Sequence, residues 1–127
     1  MSPDVDVSRH LDGEVLRALI DMVGDDPEFV GELVDTFIAD SPAQLAAIRS
    51  AIAAGSPEEL VRPAHTLKGN SVNLGAPALA AICRDLEAQA RAGSLDGAAD
   101  RLTAAEAEYR DVVEALGVAR QRRWRIE

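Results

Sequence analysis

Prolines and glycines divide this sequence into helical segments, and they constrain its fold more than any other feature. Proline is favoured at the first position of a helix, and glycine is favoured just beyond its last residue. The prolines that can open helices are Pro27, Pro57 and Pro77. The glycines that can end them are Gly24, Gly55, Gly75, Gly93 and Gly117. Between these positions apolar residues recur every three or four places, which predicts amphipathic helices.

The predicted helices run over about 12–23, 27–54, 57–74, 77–92 and 95–117. Their expected N-caps are Asp12, Asp26, Ser56 and Ser94, whose side chains can accept from free backbone N–H groups. Two prolines lie inside the predicted helices. Pro42 should kink the second helix or split it at Asp40, and we expect one bent helix over 27–54. Pro63 should produce a local kink or an irregular turn just before His65.

Helices of this length joined by short turns predict an all-α fold, an antiparallel up-and-down four-helix bundle with an additional short N-terminal helix across one end. We expect residues 1–10 to form a flexible arm that ends in a solvated His10, and 11–117 to form the bundle. Residues 118–127 would be a basic tail or a helix extension. The short N-terminal helix over 12–23 carries a wider apolar stripe than one bundle contact needs, which is compatible with a broad core face.

Composition excludes several classes of function. A formal net charge of −9 in 127 residues argues against nucleic acid as a partner. No apolar run is long enough for a membrane span, so we expect a soluble cytoplasmic protein with no membrane partner. The single cysteine, Cys83, lies on an apolar stripe, which favours a small core residue over a reactive thiol.

Residues 64–76, AHTLKGNSVNLGA, carry the most unusual helical face of the chain. One face is small and apolar and is expected to be buried: Ala64, Leu67, Ser71 and Leu74. Another face carries His65, Lys68, Gly69 and Val72. Glycine inside a helix costs about 1 kcal/mol relative to alanine, and such a cost is most often accepted for function. An imidazole beside a cation and open space suits a nucleophile that receives an anionic group from a large partner. The simpler interpretation is an ordinary surface histidine.

AHTLKG followed by NLGA resembles the motif of the histidine-containing phosphotransfer (HPt) domains of two-component phosphorelays. The likeness extends upstream through LDGEVLRALIDMVGDDPEFVGELVDTFIADSP and downstream through LAAICRDLEAQARAG. It covers roughly residues 11–117.

The resemblance implies a role for each residue of the candidate site. His65 would accept the phosphoryl group on Nε2, and Lys68 would offset its negative charge. Gly69 would let a receiver domain approach. The surplus apolar stripe of the short N-terminal helix would help form a docking patch beside the histidine, and the alternative is a broad core face. Glu87 would orient the imidazole through Nδ1–H, and Arg91 would add positive potential. The alternative for Glu87 and Arg91 is an exposed salt bridge along one helix, worth a few tenths of a kcal/mol.

The resemblance also implies a phosphorelay intermediate that exchanges phosphoryl groups with aspartates of response-regulator receiver domains. Its partners would be those receivers and a sensor or hybrid histidine kinase, and we expect a monomer. We expect a carrier rather than an enzyme, with no cofactor of its own and with magnesium on the partner receiver, because the sequence has no nucleotide-binding motif. Two alternatives stay open: the histidine domain of a larger hybrid or chemotaxis-type kinase, against which the starting Met1 weakly argues, and a non-phosphorylated helical interaction module.

Overall fold

The computed structural model describes residues 6–23 and 26–124. Within these ranges the secondary structure is helical without strands, which confirms the all-α fold class. The helices are α1 (Val7–His10), α2 (Gly13–Met22), α3 (Pro27–Ala53), α4 (Pro57–Asn73), α5 (Pro77–Arg91) and α6 (Ala98–Gln121). The long helices α3 to α6 form the bundle, in which each packs on its chain neighbour and α6 returns to α3. The largest fully buried side chains of the described residues are leucines and one isoleucine, contributed by α2 and by the bundle: Leu16, Ile48, Leu60, Leu67, Leu79, Leu86 and Leu116.

Local capping determines where three of the helices begin. The carboxylate of Asp12 accepts from the backbone N–H of Glu14 at 2.9 Å, and that of Asp26 accepts from Glu28 at 3.0 Å. Ser56 Oγ accepts from the N–H of Glu59 at 3.3 Å. These contacts confirm the predicted N-caps of α2, α3 and α4. The predicted stop of α2 at Gly24 lies outside the described residues.

Helix α3 is continuous through Pro42, which confirms the expected single helix over about 27–54 and not the alternative of a split at Asp40. Proline has no N–H to donate to the carbonyl four residues earlier, which here belongs to Ile38. The hydroxyl of Tyr109 on α6 donates to that carbonyl at 3.1 Å. A side chain from a neighbouring helix therefore replaces the missing hydrogen bond, and the helix continues.

Helix α4 is likewise continuous through Pro63, so the irregular turn, one of the two outcomes predicted before His65, does not occur. The carbonyl that loses its partner belongs to Glu59, in the exposed first turn of the helix. Water can reach that end of the helix, which reduces the cost of the missing bond. His65 therefore projects from a continuous α-helix.

The N-terminal arm was predicted wrongly over its second half. Val7–His10 form the short helix α1, which packs on α6 with Val7 buried. His10 is not solvated: its side chain is 17% exposed, and Nδ1 lies 2.7 Å from a carboxylate oxygen of Glu108. Residues 1–5 lie outside the described ranges.

The last helix begins later and ends later than predicted. Ser94 does not cap it; Ser94 Oγ accepts from the N–H of Asp96 at 3.1 Å within the preceding turn, and the N-cap is Gly97 at φ +71°. Helix α6 passes through Gly117 without stopping and ends at Gln121. Residues 118–121 are therefore a helix extension, and residues 125–127 lie outside the described ranges.

Cys83 lies in the core as predicted, with no exposed surface. Burial raises the pKa of its thiol to about 12, so the thiolate required for nucleophilic chemistry is not formed near neutral pH. In the described part of the chain, no helix combines the length and apolar character needed to cross a membrane.

Candidate functional site

Helix α4 buries one face and presents the other to solvent, as its periodicity predicted. The four small and apolar residues predicted to be buried all lie in the core: Ala64, Leu67, Ser71 and Leu74. Ser71 is satisfied there, since its hydroxyl donates to the carbonyl of Leu67 at 2.7 Å. On the opposite face the His65 side chain is 60% exposed, and Val72 is also exposed.

A buried carboxylate on α5 holds the histidine. Glu87 is only 5% exposed, and its Oε2 lies 3.0 Å from Nδ1 of His65. Arg91 Nε donates to the same oxygen at 3.0 Å, and its Nη2 lies 2.8 Å away. Lys68 Nζ lies 2.7 Å from the other oxygen, Oε1, in the geometry of an ion pair rather than of an aligned hydrogen bond. The structure thus brings His65, Lys68, Glu87 and Arg91 into one cluster.

The two cations and the imidazole determine the ionisation of Glu87. Burial by itself would raise the pKa of this carboxyl, because it disfavours the charged form. Lys68, Arg91 and His65 outweigh burial and lower the pKa to about 2. Glu87 is therefore a carboxylate near neutral pH. Its burial and its contact with His65 contradict the alternative of an exposed salt bridge, although the pair with Arg91 exists.

The charge of Glu87 decides the tautomer of His65. An ionised carboxylate only accepts hydrogen bonds, so Nδ1 of His65 must carry the proton and donate. In the neutral ring the lone pair then lies on Nε2, the nitrogen directed away from this contact. One carboxylate with two cations leaves one net positive charge beside the ring, an arrangement that favours an incoming anion.

Gly69 has no structural reason to be glycine within this chain. A Cβ built at this position meets nothing within 4 Å, and its φ is not in the left-handed region. It lies one turn beyond His65 on the same helix. Its open space is therefore available to a molecule that approaches His65 from outside.

A groove beside this face of α4 was not predicted from the sequence. Helices α2, α3 and α4 enclose about 350 Å³, lined mainly by apolar side chains from α2 and α3 and by two asparagines of α4: Leu19, Met22, Leu33, Thr36, Phe37, Asp40, Asn70, Asn73 and Leu74. Met22 at its edge is 75% exposed. The wide apolar stripe of α2 indicated surplus apolar surface. The position of the groove depends on how α2 packs on the bundle, so helical periodicity could not predict it.

Acid should remove the stabilisation that Glu87 contributes. Its folded-state pKa of about 2 lies below the ordinary value of 4.5, so the contribution is complete above pH 4.5 and is lost as the pH falls towards 2. Glu87→Gln is expected to lower the free energy of unfolding at pH 7 by about 1–3 kcal/mol. The deficit relative to wild type should shrink towards pH 2. Urea unfolding of both proteins at several pH values measures this difference in the free energy of unfolding.

Asp85→Asn is the matched control, because it removes an exposed carboxylate from the same helix. It should leave the free energy of unfolding nearly unchanged over this range. An equal deficit for Glu87→Gln at pH 7 and pH 2 would show that the loss comes from packing and not from the charge.

Comparisons with known proteins identify the family of this chain. The model of the Hpt domain family matches residues 32–118, more than half of the chain. The chain therefore belongs to the Hpt domain family, and its role is histidine phosphotransfer in two-component signalling. Members of this family are phosphoryl carriers rather than enzymes, and they interact with two-component kinases and response regulators.

A solved structure gives a more particular likeness. The chain is similar to histidine-containing phosphotransfer protein B (HptB) from Pseudomonas aeruginosa PAO1, whose crystal structure superposes with a TM-score of 0.79 at 36% sequence identity. The match covers 96% of this chain and 98% of that one. A search of curated proteins found no match.

Proposed function

We propose that His65 accepts a phosphoryl group on Nε2 and exchanges it with an aspartate of a response-regulator receiver domain. The observation that carries this proposal is the contact between a buried, ionised Glu87 and Nδ1 of an exposed His65. It orients the ring and leaves Nε2 as the nucleophilic nitrogen.

Transfer from a receiver would begin with attack of the Nε2 lone pair on the phosphorus of an aspartyl phosphate. The N–P bond forms as the P–O bond to the aspartate breaks, and the electron pair leaves with the aspartate oxygen. Nδ1 keeps its proton, so the ring becomes positively charged. The carboxylate of Glu87, 3.0 Å from Nδ1, stabilises that charge. The reverse reaction passes the phosphoryl group to a receiver.

Lys68 and Arg91 would play different parts in this exchange. Both pair with Glu87, but Lys68 contacts Oε1, while Arg91 contacts the Oε2 that also accepts from His65. Lys68 lies three residues after His65, on a flexible side chain that can turn towards phosphoryl oxygens. Arg91 would keep Glu87 in place during that movement. Lys68 is the only lysine in the chain.

The receiver would approach over Gly69 and Val72, with the groove of α2, α3 and α4 beside the contact surface. The magnesium ion and the acidic pocket that this chemistry needs would belong to the receiver. We propose that the chain acts as a monomer in the cytoplasm and receives phosphoryl groups that originate from a sensor or hybrid kinase.

Lys68→Met is expected to slow phosphoryl uptake by about tenfold without loss of helicity, because it removes a charge from beside the phosphoryl oxygens. Lys68→Arg keeps the charge and should recover part of the rate. Stopped-flow or rapid-quench transfer from a phosphorylated receiver measures the effect. Arg110→Met, at an exposed position on α6, is the control for a general loss of positive charge. Equal transfer rates for Lys68→Met and this control would show that Lys68 has no role in phosphoryl transfer.

The proposed function is tested by incubating the chain with the receiver domains of its source organism, each phosphorylated by acetyl phosphate with Mg²⁺. At least one receiver should transfer label that is stable in base and labile in acid, as expected of phosphohistidine. Binding without transfer by every receiver would favour a non-phosphorylated interaction module.

A further inference from the structure

The chain has a second pair of histidine and glutamate, remote in sequence from His65. His10 on α1 places Nδ1 2.7 Å from Oε2 of Glu108 on α6. Its other nitrogen, Nε2, lies 4.0 Å from Oδ2 of Asp111 on the same helix. One ligand atom from each residue can be chosen so that all three lie within 4.8 Å of one another.

The two pairs differ in their third neighbours. At His65 the glutamate also binds Lys68 and Arg91, so the surroundings favour an anion. At His10 the additional neighbour is a second carboxylate, Asp111. Among residues 6–23 and 26–124, no lysine or arginine forms an ion pair with Glu108 or Asp111. Two carboxylates facing one imidazole keep a negative charge even when that ring is protonated, which favours a cation.

The donor set identifies the kind of cation. One imidazole and two carboxylates are ligands of borderline character, which suit Zn²⁺ and neighbouring first-row divalent ions better than Mg²⁺ or Ca²⁺, whose ligands are oxygen atoms. His10 and Glu108 are largely covered, with side chains 17% and 15% exposed, so they are held in place. The Asp111 side chain is 50% exposed and can turn towards the ion.

We propose that His10, Glu108 and Asp111 form a binding site for a divalent transition metal such as Zn²⁺. A neutral imidazole nitrogen and one oxygen of each carboxylate would bind the ion, and water would fill the remaining position. An imidazolium that binds the ion releases its proton to solvent, so binding weakens in acid. Because His10 lies on α1 and the carboxylates on α6, the ion would fasten the N-terminal helix to the bundle.

Zn²⁺ titration by isothermal calorimetry at pH 7 tests the proposal. The background is the full chain with His65→Gln, in which His10 is the remaining histidine. One Zn²⁺ should bind per chain, and one equivalent should shift the NMR signals of residues 7–10 and 108–111. His10→Ala and Asp111→Asn should each weaken binding by about tenfold or more. Asp111→Asn alters a half-exposed side chain, so it tests the site even if His10→Ala disturbs α1.

Asp100→Asn is the matched control, since it removes an exposed carboxylate from the first turn of α6, eleven residues from Asp111. It should leave the Kd for Zn²⁺ unchanged. The proposal is overturned if no stoichiometric binding occurs below about 1 mM Zn²⁺, the range of weak surface association. Equal Zn²⁺ affinity of Asp111→Asn and Asp100→Asn would also overturn it. Neither outcome bears on phosphoryl transfer at His65.

Discussion

His65→Gln is expected to abolish phosphoryl uptake, with a loss of more than about 1,000-fold, because it removes the nucleophile. The fold should survive, since the His65 side chain is 60% exposed and a glutamine amide can still donate to Glu87. We expect a change in the free energy of unfolding of less than about 1 kcal/mol. Radiolabel transfer from a phosphorylated receiver and urea unfolding measure the two effects.

His10→Gln is the control for this variant and should show the opposite pattern. His10 is largely covered and joins α1 to α6 through Glu108, so its loss should reduce stability. Phosphoryl uptake should persist because His65 is intact. Label on His65→Gln that disappears in His10→Gln would mean that the wrong histidine has been assigned.

Gly69→Gln is expected to slow transfer from a receiver by about 100-fold while it stabilises the protein. A side chain at this position would occupy the approach to His65 and displace the receiver from its reactive position. The same change should raise the free energy of unfolding by about 0.5–1 kcal/mol, since glycine is a poor helix former and no atom within 4 Å opposes a Cβ.

Gly117→Gln is a closely matched control. Gly117 also lies inside a long helix, is exposed, and leaves a Cβ free of contacts within 4 Å. It should give a similar gain in stability with no change in transfer rate. If both variants transfer at the wild-type rate, Gly69 has no role in access, and the receiver approaches His65 from another side.

The helix boundaries that could be predicted from the sequence are those set by neighbouring residues. Asp26 with Pro27, and Ser56 with Pro57, place the cap and the first helical residue side by side in the chain. The buried face of α4 could be predicted equally well, because helical periodicity alone decides which residues share it. These features need no knowledge of tertiary contacts.

The features that local sequence could not indicate depend on distant partners. The hydrogen bond that Pro42 cannot form is replaced by Tyr109, 67 residues later, which donates to the carbonyl of Ile38. His10 is held by Glu108, 98 residues away. Local propensity contains no information about either contact. Gly117 fails to end α6 for a related reason, since the helix beyond it includes Ala119, which is buried in the core.

The candidate site lies between these two cases. The motif around His65 could be recognised from its spacing, but Glu87 was indicated only by family resemblance, because its direction depends on how α5 packs on α4. The structure settles its burial and its contact with His65. The pairing of Lys68 with the carboxylate that also binds Arg91 could not be predicted, and together with His65 these two cations keep Glu87 ionised.

The most direct test of this account is to determine which nitrogen carries the phosphoryl group. A chain labelled with ¹⁵N in its histidine rings is phosphorylated by a receiver, and the coupling of ³¹P to the ring nitrogens is recorded by NMR. We predict one phosphohistidine, at His65, with phosphorus bonded to Nε2 and a proton retained on Nδ1 beside Glu87. Phosphorus on Nδ1 of His65, or on either nitrogen of His10, would contradict the account.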